Sequence, residues 1–243
     1  MKKKIIALLQ QALGFDNYLY YFSRLKIFML KRDKYEHGFM QFLELIPPGS
    51  TILDIGANIG ITSVPIAKKF PGATLHSFEP MPANVTALKR VINYYKLKNV
   101  VVHEIALGSE NGILKLVMPI IKGVKMQGLC HAYVEGEDEE WNRGEIVQVP
   151  VKRLDDIEAL QKAEKISAIK IDVENFEYQV LMGARDILAK HQPVIYCELW
   201  ANEVRDQVID YLKQFGYAIK VFENDSLVDF TTQDENNFVF IIG

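Results

Sequence analysis

The stretch TILDIGANIG, residues 51–60, reads as a short apolar strand, a tight glycine turn and the first turn of a helix. The strand is expected over 51–54 and the helix over 59–70. Gly56 has no Cβ, so the backbone can turn sharply there and a ligand can come close. Gly60 permits close helix–strand packing, and Asn58 can offer its amide to a ligand or to the helix start. Ligands of open α/β sheets sit beyond the carboxyl ends of the strands. This turn is therefore the first candidate for a binding site.

Outward from it, the alternation continues. Strands are expected over 73–79, 100–105, 166–172 and 194–199, and helices over 82–97, 176–190 and 203–215. Two late strands are expected over 217–222 and 238–242. Strands alternating with helices imply right-handed crossovers and a parallel sheet. The interval 106–153 breaks the rhythm. Residues 113–118 and 146–151 read as extra strands around an inserted loop at 119–145, which holds four glycines and an acidic run at 135–140 and suits a lid. Upstream, residues 1–46 read as a helical extension that stops at Pro47-Pro48-Gly49, leaving 47–243 as the main domain.

Composition is that of an ordinary globular chain: 243 residues, 49% hydrophobic and 24% charged, with net charge −3. The charge is uneven, at +6 over residues 1–34 and −9 over the rest. An acidic body is a poor partner for nucleic acid. Cys130 and Cys197 stand far apart without metal-ligand spacing, which excludes a disulfide framework and a zinc site and fits a reducing, cytoplasmic setting. After Lys2, Lys3 and Lys4 the apolar run extends only from Ile5 to Leu9, so neither a secretory leader nor a membrane span is expected. A basic, aromatic helix at a membrane surface stays open. The arm is expected to matter for partners or membranes more than for cofactor affinity.

The glycine spacing separates two classes of ligand. A dinucleotide fold bares backbone amides to a pyrophosphate through G-x-G-x-x-G. Here Asn58 takes the second glycine's place and Ile61 the third's. Asp54 precedes the turn, where a carboxylate suits an ammonium rather than a pyrophosphate. S-adenosylmethionine carries an ammonium and a sulfonium and no phosphate, so the acidic loop favours it over NAD. Glu79 closes the next strand, where a carboxylate can accept both ribose hydroxyls. Ala106, after the following strand, leaves room for adenine. An NAD(P)-linked oxidoreductase and a non-catalytic nucleotide-binding module are the competing readings.

Six stretches occur together: TILDIGANIG (51–60), FEP (78–80), ALGSENG (106–112), VPVKRLDDI (149–157), IKIDVENFEYQVLMGA (169–184) and YCELW (196–200). In this combination the chain resembles the FkbM-type methyltransferase family from residue 49 onward, with 1–46 outside the resemblance. The resemblance implies an α/β class I methyltransferase (Rossmann-like) fold, an open sheet of seven strands, mostly parallel with an antiparallel last strand. It implies methyl transfer from S-adenosyl-L-methionine, usually to a hydroxyl on a sugar, glycan or natural product. By motif match, Asp54, Gly56, Asn58, Gly60 and Glu79 would carry the cofactor, with Ala57 and Pro80 counted in the same two segments. Asp172 and Glu174 would face the transfer site. The family favours Gly after the Asp-Val-Glu triplet, and this chain has Asn175, which tolerates a left-handed backbone.

Methyl transfer from a sulfonium needs alignment above all, and a hydroxyl acceptor also needs a base. Asp172 and Glu174 fall on one side if their strand continues, and Glu198 ends the neighbouring strand. The three are the candidate catalytic carboxylates. Three acids can also hold a divalent cation, but no further Asp or His stands at ligand spacing, so no metal is assigned. His131 is a loop histidine that could serve as base, although a surface role is the simpler reading. Lys170 is assigned no part. Trp141 and Trp200 could stack on a sugar ring, with packing the simpler reading. His76 and His103 read as structural.

Overall fold

A computed structural model of the chain describes residues 2–30, 37–49 and 51–243, so 31–36 of the expected helical arm lie outside the described residues. The main sheet is built around β1 (Thr51–Ile55). Its order is β12 (Ser226–Asp229), β11 (Tyr217–Glu223), β13 (Asn237–Ile242), β10 (Val194–Glu198), β9 (Ile166–Ile171), β1, β2 (Thr74–Phe78) and β3 (Val100–His103). The five strands from β10 to β3 are parallel, and β13 runs antiparallel between β10 and β11. This is the expected open sheet with one strand more. The added edge strand β12 joins β11 through Asn224-Asp225, both with positive φ (48° and 64°), as a tight hairpin turn requires.

Every residue of β9 is buried, as befits a parallel strand covered on both faces. Leu53, Ile55, Ile169 and Ile171 pack in one core with residues of α6 (Glu158–Gln161), α7 (Glu177–Met182), α8 (Arg185–His191) and α9 (Glu203–Lys213). Ile52, Ala168, Tyr196 and Val239 form the opposite core with α3 (His37–Leu45) and α4 (Ser63–Lys69). Alternation therefore sends Asp54, Lys170 and Glu198 to the α3–α4 face.

The helices expected as an extension are bound into these cores. α2 (Phe15–Met29), which follows α1 (Lys2–Leu13), lies on α5 (Pro82–Tyr94) and buries Leu19 completely beside Ile59 and Ala87. Ser23 Oγ donates to the Ile59 carbonyl at 2.6 Å. On α3, Phe42 stacks on Tyr196 with ring centroids 5.1 Å apart.

The irregular interval forms a second sheet from β4 (Ala106–Leu107), β5 (Gly112–Ile121), β6 (Val124–Lys125), β7 (His131–Ala132) and β8 (Gly144–Lys152). The β5–β8 pairing runs to Pro119 opposite Gly144, further into the expected loop than the apolar pattern indicates. A Cβ at Gly144 would stand 1.9 Å from the Met118 carbonyl oxygen, so only glycine fits. α1 is tied to this sheet by the Gln10 side chain, which bonds the Lys125 backbone twice. The helix expected over 176–190 is two helices. Gly183 breaks it against the Gly108 carbonyl, and Asp155 restarts it by accepting the Asp186 and Ile187 N–H groups at 3.1 Å. No helix among the described residues is long and apolar enough to cross a membrane.

Candidate active site

The turn after β1 is held from three sides. Gly56 and Ala57 both donate backbone N–H groups to the Phe78 carbonyl at 3.0 Å. Gly56, Asn58 and Gly60 have positive φ (76°, 47° and 88°). A Cβ on Gly56 would lie 1.8 Å from the Asp172 carbonyl oxygen, so β1 and β9 approach closely only because that residue is glycine. Gly60 faces Leu88 and Val91 of α5, giving it a packing role.

Glu79 joins the turn to the next helix. Its carboxylate accepts the Asn58 N–H and the Met81 N–H, both at 2.8 Å, and the Asn84 amide at 3.3 Å. Burial pushes its pKa up to about 7 against the pull of these three donors. Beside it opens a cavity beyond the carboxyl ends of the strands. Glu79, Pro80, Met81 and Ala106 line one part, Gly56 and Asn58 the middle, and Asp172, Val173 and Glu174 another part. Gln127, Gly128 and Cys130 of the insertion also line it.

Asp54 takes a different place from the one its motif position suggests. It is fully buried and lines none of these walls. Its carboxylate accepts Thr62 Oγ1 at 2.9 Å and Ser63 Oγ at 2.5 Å, and Lys170 Nζ lies 3.7 Å away. It anchors the α4 end of the turn. Lys170, assigned no part from the sequence, is the hub: Nζ donates to the Gly56 carbonyl at 3.1 Å and to Asp172 at 3.4 Å. Burial alone would lower its pKa, but Asp172 and Asp54 outweigh that and hold the ammonium above its usual value. Its place two residues before Asp172, on the same strand face as Asp54, was the available signal.

The three candidate carboxylates are divided by the sheet. β9 ends at Ile171, so Asp172 and Glu174 do not continue a strand. Glu174 and Asn175 adopt positive φ (52° and 68°), the backbone that Asn in place of Gly still permits. Glu177, missed by the sequence reading, braces this turn by accepting the Val173 and Asn175 N–H groups at 3.2 Å. Asp172 and Glu174 both line the main cavity. Glu198 opens instead, with Asp172, Ala57 and Trp200, on a second cavity on the α3 side. Burial, reinforced by Asp172 and Glu198, raises the Glu174 pKa to about 8. No group of His, Cys, Asp and Glu among the described residues is arranged to hold a metal.

These residues fit S-adenosylmethionine. Glu79, Asp172 and Glu174 put three carboxylates on the main cavity, and among the described residues no Lys or Arg lines it. A pyrophosphate would find no cation there. Two buried side-chain oxygens in the wall, Asn58 Oδ1 and Asn84 Oδ1, have no hydrogen-bond partner, and such groups call for a donor. Ribose hydroxyls, the adenine amine and the ammonium are donors of that kind.

Comparison with known proteins agrees. The methyltransferase FkbM domain matches residues 54–219. The 31-O-demethyl-FK506 methyltransferase FkbM of Streptomyces tacrolimicus is 29% identical over 202 residues, covering 74% of this chain and 76% of that protein. Methyltransferase 1 of Beauveria bassiana is also 29% identical, over 154 residues, and the match spans 58% of this chain and 60% of the fungal protein. A solved methyltransferase FkbM from Methylobacillus flagellatus shares the fold (TM-score 0.54, 17% identity), covering 79% of this chain and 43% of its own. With the turn, the acidic cavity and the sheet order in agreement, the chain belongs to the FkbM methyltransferase family, and S-adenosylmethionine is the cofactor of its domain.

Proposed function

We propose that this chain methylates a hydroxyl oxygen on a small natural-product or sugar acceptor. The observation that carries the reading is the main cavity: three carboxylates, two unpartnered amide oxygens and no cation. The cofactor, when bound, supplies a methyl group on a good leaving group. The protein's task is then to bind, align and exclude water.

In this reading Glu79 takes the ribose hydroxyls, and Pro80, Met81 and Ala106 border the adenine. Asp172, which accepts from Lys170 Nζ, faces the ammonium. Glu174 lies towards the sulfonium and the acceptor. Glu198, on the second cavity, adds to Asp172 and Asp54 in favouring the Lys170 ammonium and does not touch the acceptor. The decisive experiment is transfer of labelled methyl from S-adenosylmethionine into a fractionated cell extract, with mass analysis of the product. An added mass of one methyl on a carbon or nitrogen atom would refute oxygen as the target. Stabilisation of the protein by NAD, and not by S-adenosylmethionine or S-adenosylhomocysteine, would refute the cofactor assignment.

We also infer contact with a membrane surface. Large apolar side chains stand exposed along α1 (Ile5, Leu8, Leu13) and along α2 (Tyr21, Leu25, Phe28), at helical spacing.

A further inference from the structure

His131, on β7, is 9% exposed and lines two adjoining cavities. One is the cofactor cavity. The other is bounded by Leu129, Val134, Trp141 and Phe176, with Glu174 and Asn175 on its rim. Its Nδ1 lies 2.7 Å from the Leu129 carbonyl oxygen. A carbonyl only accepts, so Nδ1 carries the proton. The neutral ring then has its lone pair on Nε2. That atom is buried and has no hydrogen-bond partner. The Trp141 ring, 4.5 Å away between centroids, holds the imidazole in place.

A buried histidine normally satisfies both nitrogens. Here one is fixed in the donor role and the other is left as an unpaired, buried acceptor on a residue that lines both cavities. Resting on the proposed O-methylation, we propose that His131 Nε2 is the general base for the acceptor hydroxyl, and that the adjoining cavity seats the acceptor. As the acceptor oxygen bonds the methyl carbon, the C–S bond breaks with its electron pair left on sulfur. The hydroxyl proton passes to Nε2. Glu174 borders both cavities and offsets the charge of the imidazolium.

The cavity walls also limit the acceptor. They are mostly apolar, and among the described residues they contain no Lys or Arg. A phosphorylated or carboxylated acceptor would be desolvated there without a counter-charge. The acceptor is therefore a largely hydrocarbon alcohol or phenol without an anionic group, able to lie against Trp141.

Two measurements test this. In protein labelled with ¹⁵N-histidine and saturated with S-adenosylhomocysteine, long-range ¹H–¹⁵N spectra should show His131 as the Nδ1–H tautomer; His131→Asn identifies its signals among five histidines. An Nε2–H tautomer overturns the proposal. In the labelled-methyl assay, His131→Gln should lose roughly 10²–10⁴-fold in transfer rate while its S-adenosylhomocysteine affinity holds. A His131→Gln protein as fast as wild type overturns the base and leaves the proposed function standing. A wild-type protein that binds cofactor and methylates nothing overturns both. An anionic methylated product overturns the acceptor class alone.

Discussion

Glu79 and Glu174 are both buried carboxylates with raised pKa, about 7 and about 8, but they differ in their hydrogen-bond donors. Glu79 accepts three N–H groups, so Glu79→Gln weakens the hold on the turn and, in its proposed role, on the ribose hydroxyls. Charge-assisted hydrogen bonds of this kind are worth about 1.5–3 kcal/mol. The variant should weaken S-adenosylhomocysteine binding roughly 10- to 100-fold by calorimetry, with the fold retained by circular dichroism. Glu174 has few such donors, and its pKa of about 8 leaves it largely protonated at neutral pH before cofactor binds. A cation beside it favours the carboxylate, so binding S-adenosylmethionine releases its proton at a pH below about 8. Affinity therefore rises with pH up to that value and then levels off. S-adenosylhomocysteine has the same ammonium but no sulfonium, so the ratio of the two affinities isolates the effect. That ratio should grow roughly tenfold between about pH 6.5 and pH 8.5; a flat ratio would place Glu174 away from the sulfonium. The same raised pKa makes the cofactor-free protein lose stability as pH rises from the ordinary carboxylate range to about 7 to 8 and level off above it, since Glu177 is also pushed up to about 7 by burial. Residue by residue, the glycine turn, Glu79 and Asp172 were legible because they stand at strand ends in a fixed order. Asp54 was misread because a carboxylate before the turn can point into the site or under it. Only the side-chain partners Thr62, Ser63 and Lys170 decide which.

Among the elements, α2 bears on the site most directly although it lies outside the family motifs. Leu19 is wholly buried beside Ile59, and Ser23 donates to the Ile59 carbonyl. Leu19→Ala should cost about 2–5 kcal/mol in urea unfolding and also weaken cofactor binding. Removing residues 1–34 should then lower cofactor affinity as well as bear on partners or membranes, because the cut takes away the α2 contacts to Ile59. Loss of stability with unchanged affinity would show that α2 holds only the core. Strand–helix alternation revealed the main sheet because strand 2-periodicity and helix 3.6-periodicity follow one another cleanly there. It failed where backbone crowding decides: at Gly183, which splits one expected helix, and at Gly144, where the β5–β8 pairing reaches the far end of the expected loop. Gly144→Ala should therefore shift or break that pairing, lowering the melting temperature, because its Cβ would meet the Met118 carbonyl.

The molecule as a whole is polarised: the basic first 34 residues carry α1 and α2, the acidic remainder carries the site, and Gln10 couples the two by gripping the sheet that roofs the cavity. On α1 and α2, residues such as Leu8 and Phe28 are 64% and 78% exposed, in stripes that a helix in water normally buries. Apolar stripes flanked by lysines suit an anionic bilayer surface, where each buried large side chain contributes roughly 1.5–3 kcal/mol. The acidic body would be held away from the same surface. A hydrocarbon-rich acceptor without an anionic group, as proposed for the cavity beside His131, would concentrate in that bilayer. The protein should therefore sediment with vesicles containing phosphatidylserine at low salt, less at high salt, and weakly with phosphatidylcholine alone. Leu8→Asp with Phe28→Asp should reduce sedimentation at least about tenfold and leave cofactor affinity intact, since both side chains point away from the site. If the double variant instead turns a dimer into a monomer and leaves vesicle binding unchanged, the stripes pair two copies of the chain and the membrane reading fails.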